Sequence, residues 1–142
     1  MLPQILTVAD NLTLTYRPDL EVLIARWSRP VTLEELQVGY RTLADEAERR
    51  GTVRWLLDTR ALTVNAEAGR WVNDHFYPTL AARLGRPLRM AYMVLPDSHR
   101  QLRTNAELAA LLTRFQESMA SYNFQLFDQE GDAQRWLAAS VA

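Results

Sequence analysis

The sequence predicts a single α/β domain, spanning residues 1–142, with a mixed five-stranded sheet and about four helices. The first observation that predicts this fold is the segment 53–60, Val-Arg-Trp-Leu-Leu-Asp-Thr-Arg, in which an apolar run ends in an acid, a hydroxyl and a base. Such a run is typical of a central strand whose polar tip reaches the sheet edge. The second observation is the order ββαβαβαβα, which predicts an antiparallel N-terminal hairpin followed by parallel strands with right-handed crossovers.

The hairpin is predicted over residues 11–27. Apolar and polar residues alternate from Leu12 to Tyr16, and Arg17-Pro18-Asp19-Leu20 has the composition of a turn. Residues 21–27 form a second strand with few polar interruptions, which favours burial on both faces. Residues 1–10 are either a loose lead-in or an edge strand.

Helix one is predicted from the capping box Thr32-Leu33-Glu34-Glu35 to about Arg50, with Gly51 as its C-cap. A linker over residues 61–64 precedes helix two, for which Asn65 is a good N-cap. Pro78 removes one backbone donor from helix two and predicts a kink or break near Tyr77.

Four further elements complete the predicted domain. Helix three has two candidate starts, Ser98 and Thr104, and is expected to end near Ala120. The other three elements are a strand over Leu88–Leu95, a last strand over Phe124–Phe127 and a final helix over Ala133–Ala139.

Composition excludes several function classes. The chain lacks Cys, and all 16 of its basic residues are Arg, which excludes disulfides, thiolate zinc sites, lysine Schiff bases and a P-loop. The net charge of −1 and the absence of a basic run argue against nucleic-acid binding. No segment approaches the ~20 apolar residues of a membrane span. We expect a cytoplasmic protein with no cofactor and no metal.

The layout, with Leu56-Leu57-Asp58 closing the strand before helix two, resembles the STAS domain, the fold of anti-sigma-factor antagonists. Within that superfamily it is most similar to the SpoIIAA-like group, as the final segment from Phe127-Asp128 to Trp136-Leu137 indicates. The resemblance covers residues 12–139. It implies a non-enzymatic regulatory or protein-interaction module with an unidentified protein partner, and a homodimer through an exposed helix face is compatible with it.

One departure from the family concerns phosphorylation. Phospho-regulated STAS proteins carry a Ser or Thr at the start of the helix that follows the Asp-ending strand. The corresponding residues here are Asn65-Ala66-Glu67, which offer no hydroxyl, and Glu67 already complements the helix dipole. The sequence therefore predicts a module without the usual phospho-switch.

Ligands of open α/β sheets bind outside the carboxyl ends of the strands. Ser28 and Arg29 are expected there, and they are joined by the candidate partner- or ligand-binding residues Asp58, Thr59, Arg60, Thr63, Asn65, Ser98, His99 and Arg100. The alternative for Asp58 is a structural one, in which it caps a loop and pairs with a neighbouring Arg.

A catalytic reading finds little support, because Asp74 and His75 are adjacent on a helix and do not face each other. The aromatic residues Trp71, Phe76 and Tyr77 suggest another alternative, an apolar pocket under helix two for a small molecule or lipid. The superfamily's relation to CRAL-TRIO lipid-transfer domains points the same way. Core packing is the competing use of these aromatic residues.

Overall fold

Six strands form one sheet in the spatial order β1-β2-β3-β4-β5-β6. The computed structural model describes residues 3–63, 65–117 and 122–139. The strands are β1 (Gln4–Val8), β2 (Leu12–Arg17), β3 (Val22–Trp27), β4 (Arg54–Asp58), β5 (Leu88–Met93) and β6 (Tyr122–Phe127). The pairs β1–β2 and β2–β3 are antiparallel, whereas β3–β4, β4–β5 and β5–β6 are parallel.

The helices connect the parallel strands and follow the last one. They are α1 (Leu33–Arg50), α2 (Ala66–Trp71), a π-helical turn (Val72–Phe76), α3 (Tyr77–Leu84), α4 (Pro96–Thr104), α5 (Ala106–Glu117) and α6 (Glu130–Ala138). In the described parts of the chain, none of them has both the length and the apolarity to cross a membrane.

The α/β class, the antiparallel hairpin and the parallel strands after it are confirmed, but the predicted count of five strands is wrong. The additional strand is β1, which pairs with β2 at the edge of the sheet through a register irregularity between Ile5 and Thr7. Ile5 is 69% exposed, so this apolar residue does not indicate a buried strand position.

The structure has more helical segments than the four predicted. The predicted helix two is divided into α2, the π-helical turn and α3, and the predicted helix three is divided into α4 and α5. Pro78 has no N–H to offer the carbonyl one turn earlier, and a π-helical turn lies directly before α3, with the Tyr77 amide bonded to the Val72 carbonyl. Helix three is interrupted at Asn105, whose side-chain oxygen accepts hydrogen bonds from the amides of Glu107 and Leu108. Val64 and the expected helix end near Ala120 lie outside the described residues.

The sheet is covered on both faces. On the first face, α1, α2 and α3 enclose the larger core, which contains Leu23, Trp55, Leu57 and Met90. On the second face, α6 covers a smaller core with Leu56 at its centre. Successive strand residues alternate between the two faces, so the apolar run of β4 supplies both cores. The prediction that this strand is central is confirmed.

The capping signals read from the sequence are also confirmed. The Thr32 hydroxyl accepts from the Glu35 amide, and the Glu35 carboxylate accepts from the Thr32 amide, which completes the capping box of α1. Gly51 ends α1 in the left-handed region at φ 67°. Asn65 caps α2 by accepting from the Ala68 amide at 3.1 Å.

We predict that Leu57→Ala lowers the free energy of unfolding by about 2–5 kcal/mol, because it leaves a cavity where the fully buried side chain packs. Urea unfolding followed by circular dichroism measures the change. Val38→Ala is the control, since Val38 is 55% exposed on α1 and its truncation is expected to change stability by no more than about 0.5 kcal/mol. Equal losses in both variants would contradict the central position of β4.

Candidate functional site

An apolar pocket of about 220 Å³ lies on the first face, at the carboxyl ends of β4, β5 and β6. It is bounded by α2 on one side and by α4 and α5 on the other. The apolar side chains of its wall come from α1, α2, the π-helical turn, α4, α5, β6 and the loops after β4 and β5: Leu36, Leu62, Ala68, Val72, Val94, Leu102, Leu108, Leu111, Leu112, Phe124 and Leu126.

Small residues on α2 explain why this space is not filled by the protein. Ala68 and Gly69 present almost no side chain where α2 approaches α5. A Cβ placed on Gly69 would lie 3.6 Å from Leu111 Cδ1, an ordinary van der Waals contact. The Leu111 side chain therefore packs close to the α2 backbone at Gly69, while the space beside Ala68 remains open.

Polar side chains lie along the same pocket. They belong to Thr59, Thr63, Asn65, Asn73 and Ser98. Among the lining residues that the structure describes, none is charged. Such a surface favours an uncharged molecule, since burying an unpaired charge is costly.

Three tyrosine hydroxyls cluster next to the pocket. Tyr40 and Tyr92 line it, and their hydroxyls interact with each other and with that of Tyr77. Burial raises the pKa of Tyr40 to about 12, although hydrogen bonds from Tyr92 and Tyr77 oppose the shift. Burial and the neighbouring tyrosines also raise the pKa of Tyr92 well above its ordinary value. Tyr40 and Tyr92 therefore stay neutral at physiological pH.

Thr59 and Asp58 are adjacent in sequence but lie on opposite faces of the sheet. Thr59 lines the pocket, and both its amide and its hydroxyl donate to the Met93 carbonyl, at 3.0 and 2.7 Å. Asp58 belongs to the second face, as expected for successive positions of a strand. The acid and the hydroxyl at the tip of β4 therefore do not form one site.

Asp58 is part of an ion-pair network with Arg26, Arg60 and Glu130. It is 4% exposed and accepts from Arg26, and the Arg60 side chain reaches its two oxygens at 2.9 and 2.8 Å. Arg26 Nη1 also donates to Glu130 Oε1 of α6 at 2.8 Å. Burial acts to raise the pKa of Asp58, but the hydrogen bonds from Arg60 outweigh it and lower the pKa below its ordinary value. These donors occupy both oxygens of Asp58. Because Arg26 lies on β3, Asp58 on β4 and Glu130 on α6, the network joins these three elements.

The remaining candidates lie elsewhere. Arg29 pairs with Asp10 and Glu35 beside the start of α1, while Ser28 donates to the Asp10 carbonyl. Arg100 is exposed on α4 and pairs with Asp97, close to His99. Neither cluster reaches the pocket.

The aromatic residues predicted to line a pocket do not line this one, although Trp71 and Phe76 border a separate depression beside His75 and Leu80. All three pack around Tyr40. Ring centroids of Tyr40 lie 6.0, 4.8 and 6.4 Å from those of Trp71, Phe76 and Tyr77. Phe76 and Tyr77 are buried in the larger core. The apolar pocket lies beside Ala68 and Gly69 of α2, whereas Trp71 ends α2, Phe76 ends the π-helical turn and Tyr77 begins α3.

Sequence analysis missed the wall that α4 and α5 contribute. Leu102, Leu108, Leu111 and Leu112 supply it, and a leucine-rich helix face is equally typical of core packing. One further signal was present in the sequence, the pair of small residues Ala68-Gly69 on the facing helix. Small residues on α2 opposite leucines on α5 are compatible with a pocket. The sequence alone does not show that these two helices face each other, because their placement depends on tertiary packing.

Asp74 and His75 do not form a catalytic pair. Asp74 forms an ion pair with Arg114 of α5, and His75 is exposed. Within residues 3–63, 65–117 and 122–139, no three side chains of His, Cys, Asp or Glu are arranged to hold a metal ion.

No protein-family model, curated protein or solved structure matches this chain. The geometry of the pocket and the chemistry of its walls therefore carry the functional argument.

We predict that Asp58→Asn lowers the free energy of unfolding by about 1–3 kcal/mol at neutral pH. This is less than for a fully buried pair, because both arginines keep water contact. Since the folded-state pKa is lowered, the stabilisation is present above the unfolded-state pKa and is lost as the pH falls through the folded-state pKa. Urea titrations at a series of pH values should show the difference between wild type and variant shrinking in acid.

The control for this prediction is Asp97→Asn, which removes a carboxylate from an exposed ion pair with Arg100. We expect a loss below about 1 kcal/mol at neutral pH, because the ion pair is exposed and Asp97 otherwise contributes only through the first turn of α4. A constant difference between wild type and Asp58→Asn from neutral to acidic pH would contradict the stabilising role of the Asp58 charge.

Proposed function

We propose that this protein binds a small, uncharged, largely apolar molecule in the pocket between α2 and α5. The observation that carries the proposal is an open space of about 220 Å³ whose walls are aliphatic and uncharged. Small-molecule sites have this character, predominantly apolar with a few polar groups that orient the ligand.

The size of the pocket limits the ligand. A cavity of about 150 Å³ lined by aliphatic and aromatic side chains accepts benzene. At about 220 Å³, this pocket suits a molecule somewhat larger than a single aromatic ring, such as a bicyclic compound or a short acyl chain. Polar groups at Thr63, Asn65, Asn73 and Ser98 are placed to orient one polar end of such a molecule.

Binding without catalysis is the proposed activity. A general acid or base needs a pKa near the working pH. The titratable side chains of the described pocket wall are Tyr40 and Tyr92, and burial raises the pKa of both. Their hydroxyls are therefore suited to hydrogen bonding rather than to proton transfer.

We predict that Ala68→Phe reduces occupancy of the pocket, because the added ring occupies the space beside α2. The measurement is titration with the uncharged bicyclic fluorophore 1-naphthylamine, together with native mass spectrometry of the protein as purified from its host. Wild type should bind the probe saturably and more tightly than the charged 1-naphthalenesulfonate, whose sulfonate has no ionic partner among the described residues of the wall. The variant should weaken probe binding at least tenfold.

The matched control is Ala110→Phe, which adds the same ring to the exposed face of α5. It should bind the probe as wild type does, and thermal melting should show both variants folded. Equal probe binding by wild type and a folded Ala68→Phe variant would count against the pocket as the site.

A second candidate function is a regulatory protein-interaction module of the STAS type, as the resemblance to the SpoIIAA-like group implies. It is supported by the exposure of Thr63, Asn65 and Glu67 at the start of α2, the region that the resemblance assigns to regulation. These residues adjoin the mouth of the pocket, so a ligand there would alter the surface that a partner meets. Affinity purification from the native host tests for such a partner.

For this candidate we predict that phosphorylation of the loop before α2 does not control partner binding. The Thr59 hydroxyl is half-buried and donates to the Met93 carbonyl, so a phosphate there would break a bond between β4 and β5. A phosphate on Thr63 would stand near Glu67 and meet repulsion. Intact-mass analysis of protein from its own host should show no stoichiometric phosphate. Thr59→Ala and Thr63→Ala should leave partner capture unchanged, and phosphate coupled to a change in capture would show that the switch exists.

A further inference from the structure

A second cleft lies at the opposite end of the parallel strands. Its volume is about 450 Å³, and it is formed where β4 and β5 begin. Four arginines line it, Arg50, Arg54, Arg86 and Arg89, together with Thr52 and the amide side chain of Asn123. Glu21, which is exposed, supplies the acidic group of this lining.

Three of these arginines lack the partner that most arginines of this chain possess. Among the described residues, five of the 16 arginines form no ion pair with a carboxylate, namely Arg41, Arg54, Arg86, Arg89 and Arg103. Arg54, Arg86 and Arg89 all line the cleft. In a protein with a net charge of −1, this concentrates uncompensated positive charge in one concave site.

Strand register brings these charges together. Arg54 of β4 and Arg89 of β5 are paired positions of adjacent parallel strands, so their side chains leave the sheet on the same face. Arg86 belongs to the turn before β5 and donates to the Gly51 carbonyl at 3.1 Å, which holds it at the same end. Like charges on adjacent strands are unfavourable without a counter-charge between them.

The three guanidinium groups have donors to spare. Each carries five N–H donors. Arg54 donates to the Leu20 carbonyl, and Arg89 donates through Nε and Nη2 to the Trp136 carbonyl near the end of α6. These contacts orient the side chains without neutralising them. Burial and the nearby Arg54 lower the pKa of Arg89, which is consistent with uncompensated charge.

We propose that this cleft binds a small molecule through a phosphate or diphosphate group, held by Arg54, Arg86 and Arg89. Guanidinium forks match phosphate oxygens in pairs, and three positive charges suit a group with two or more negative charges better than a single carboxylate. The cleft volume leaves room for more than the phosphate itself. This site is separate from the apolar pocket and does not depend on it.

Isothermal titration of the full chain with pyrophosphate tests the proposal. We expect saturable binding that weakens as the salt concentration rises, with pyrophosphate bound more tightly than inorganic phosphate and phosphate more tightly than acetate. Arg86→Gln and, separately, Arg54→Gln should each weaken pyrophosphate binding by about tenfold or more, since each removes charged donors. Thermal melting verifies that the variants are folded.

Arg103→Gln is the matched control. Arg103 also lacks a carboxylate partner, but it is exposed on α4, outside the cleft. Its loss removes the same charge from the protein and should leave pyrophosphate binding within a factor of two or so. Absence of saturable binding at millimolar pyrophosphate would overturn the proposal. Equal weakening by Arg103→Gln and Arg86→Gln, or acetate bound as tightly as pyrophosphate, would overturn it too.

A phosphate group can belong to a soluble metabolite or to a lipid headgroup, and a co-sedimentation assay distinguishes the two. Phosphatidylcholine vesicles with and without phosphatidic acid serve as the probes. Retention on the phosphatidic acid vesicles that pyrophosphate competes away would assign the phosphate to a lipid. Saturable pyrophosphate binding without vesicle retention would assign it to a soluble molecule, as the concave shape of the cleft favours.

Discussion

The burial of β4 on both faces is the constraint on which the rest of the structure depends. Trp55, Leu56 and Leu57 are fully buried, with α1 to α3 over one face and α6 over the other. A strand enclosed in this way tolerates polar side chains at its ends, where water or a partner group can reach them. Arg54 begins β4 and Asp58 ends it. The charged groups of this strand are therefore divided between the amino and the carboxyl ends of the parallel strands.

Each end satisfies its charges differently. At the carboxyl end, Asp58 is enclosed by Arg26 and Arg60, and Glu130 of α6 completes the network. At the amino end, Arg54 and Arg89 find carbonyl oxygens but no carboxylate among the described residues. A surrounded acid is a structural element that fixes α6 on the sheet. Uncompensated arginines in a concave surface are an available binding element.

Beyond the α/β class and the central position of β4, which follow from element order and an apolar run, the features that sequence analysis predicted correctly are decided within a few residues. The capping box at Thr32 and Glu35, the cap at Asn65 and the disruption before Pro78 all depend on neighbours less than two turns away. The sequence of residues 1–10 is compatible with either a loose lead-in or an edge strand. The structure shows that β1 is an edge strand, paired with β2. The resemblance to the SpoIIAA-like group remains a prediction, since no comparison matches the chain.

The two candidate sites could not be predicted from neighbouring residues in the sequence, because each is formed by helices and strands that are distant in the chain and adjacent in the fold. Thr59, Thr63, Asn65 and Ser98 were selected by their position after strands, and the structure brings these four together beside the pocket. The leucines of α5 that complete the wall carry no local sign of that role. Likewise, Arg54, Arg86 and Arg89 are isolated residues in the sequence, among 16 arginines distributed along the chain. Only the register of β4 and β5 places them side by side.

The energetic cost of the pocket supports a role for it. Residual cavities destabilise proteins by about 24 cal/mol per Å³, so an enclosed space of this size would cost on the order of 5 kcal/mol, and its opening to water reduces that figure. This is comparable to the ~5–15 kcal/mol that stabilises a typical domain. Replacing Ala68 by a larger aliphatic residue would recover part of the loss within the same fold. A ligand present at about a thousand times its dissociation constant would stabilise the folded state by roughly 4 kcal/mol through binding linkage. The proposed apolar ligand would account for the small residues on α2 and would offset the stability that an unfilled pocket costs the domain.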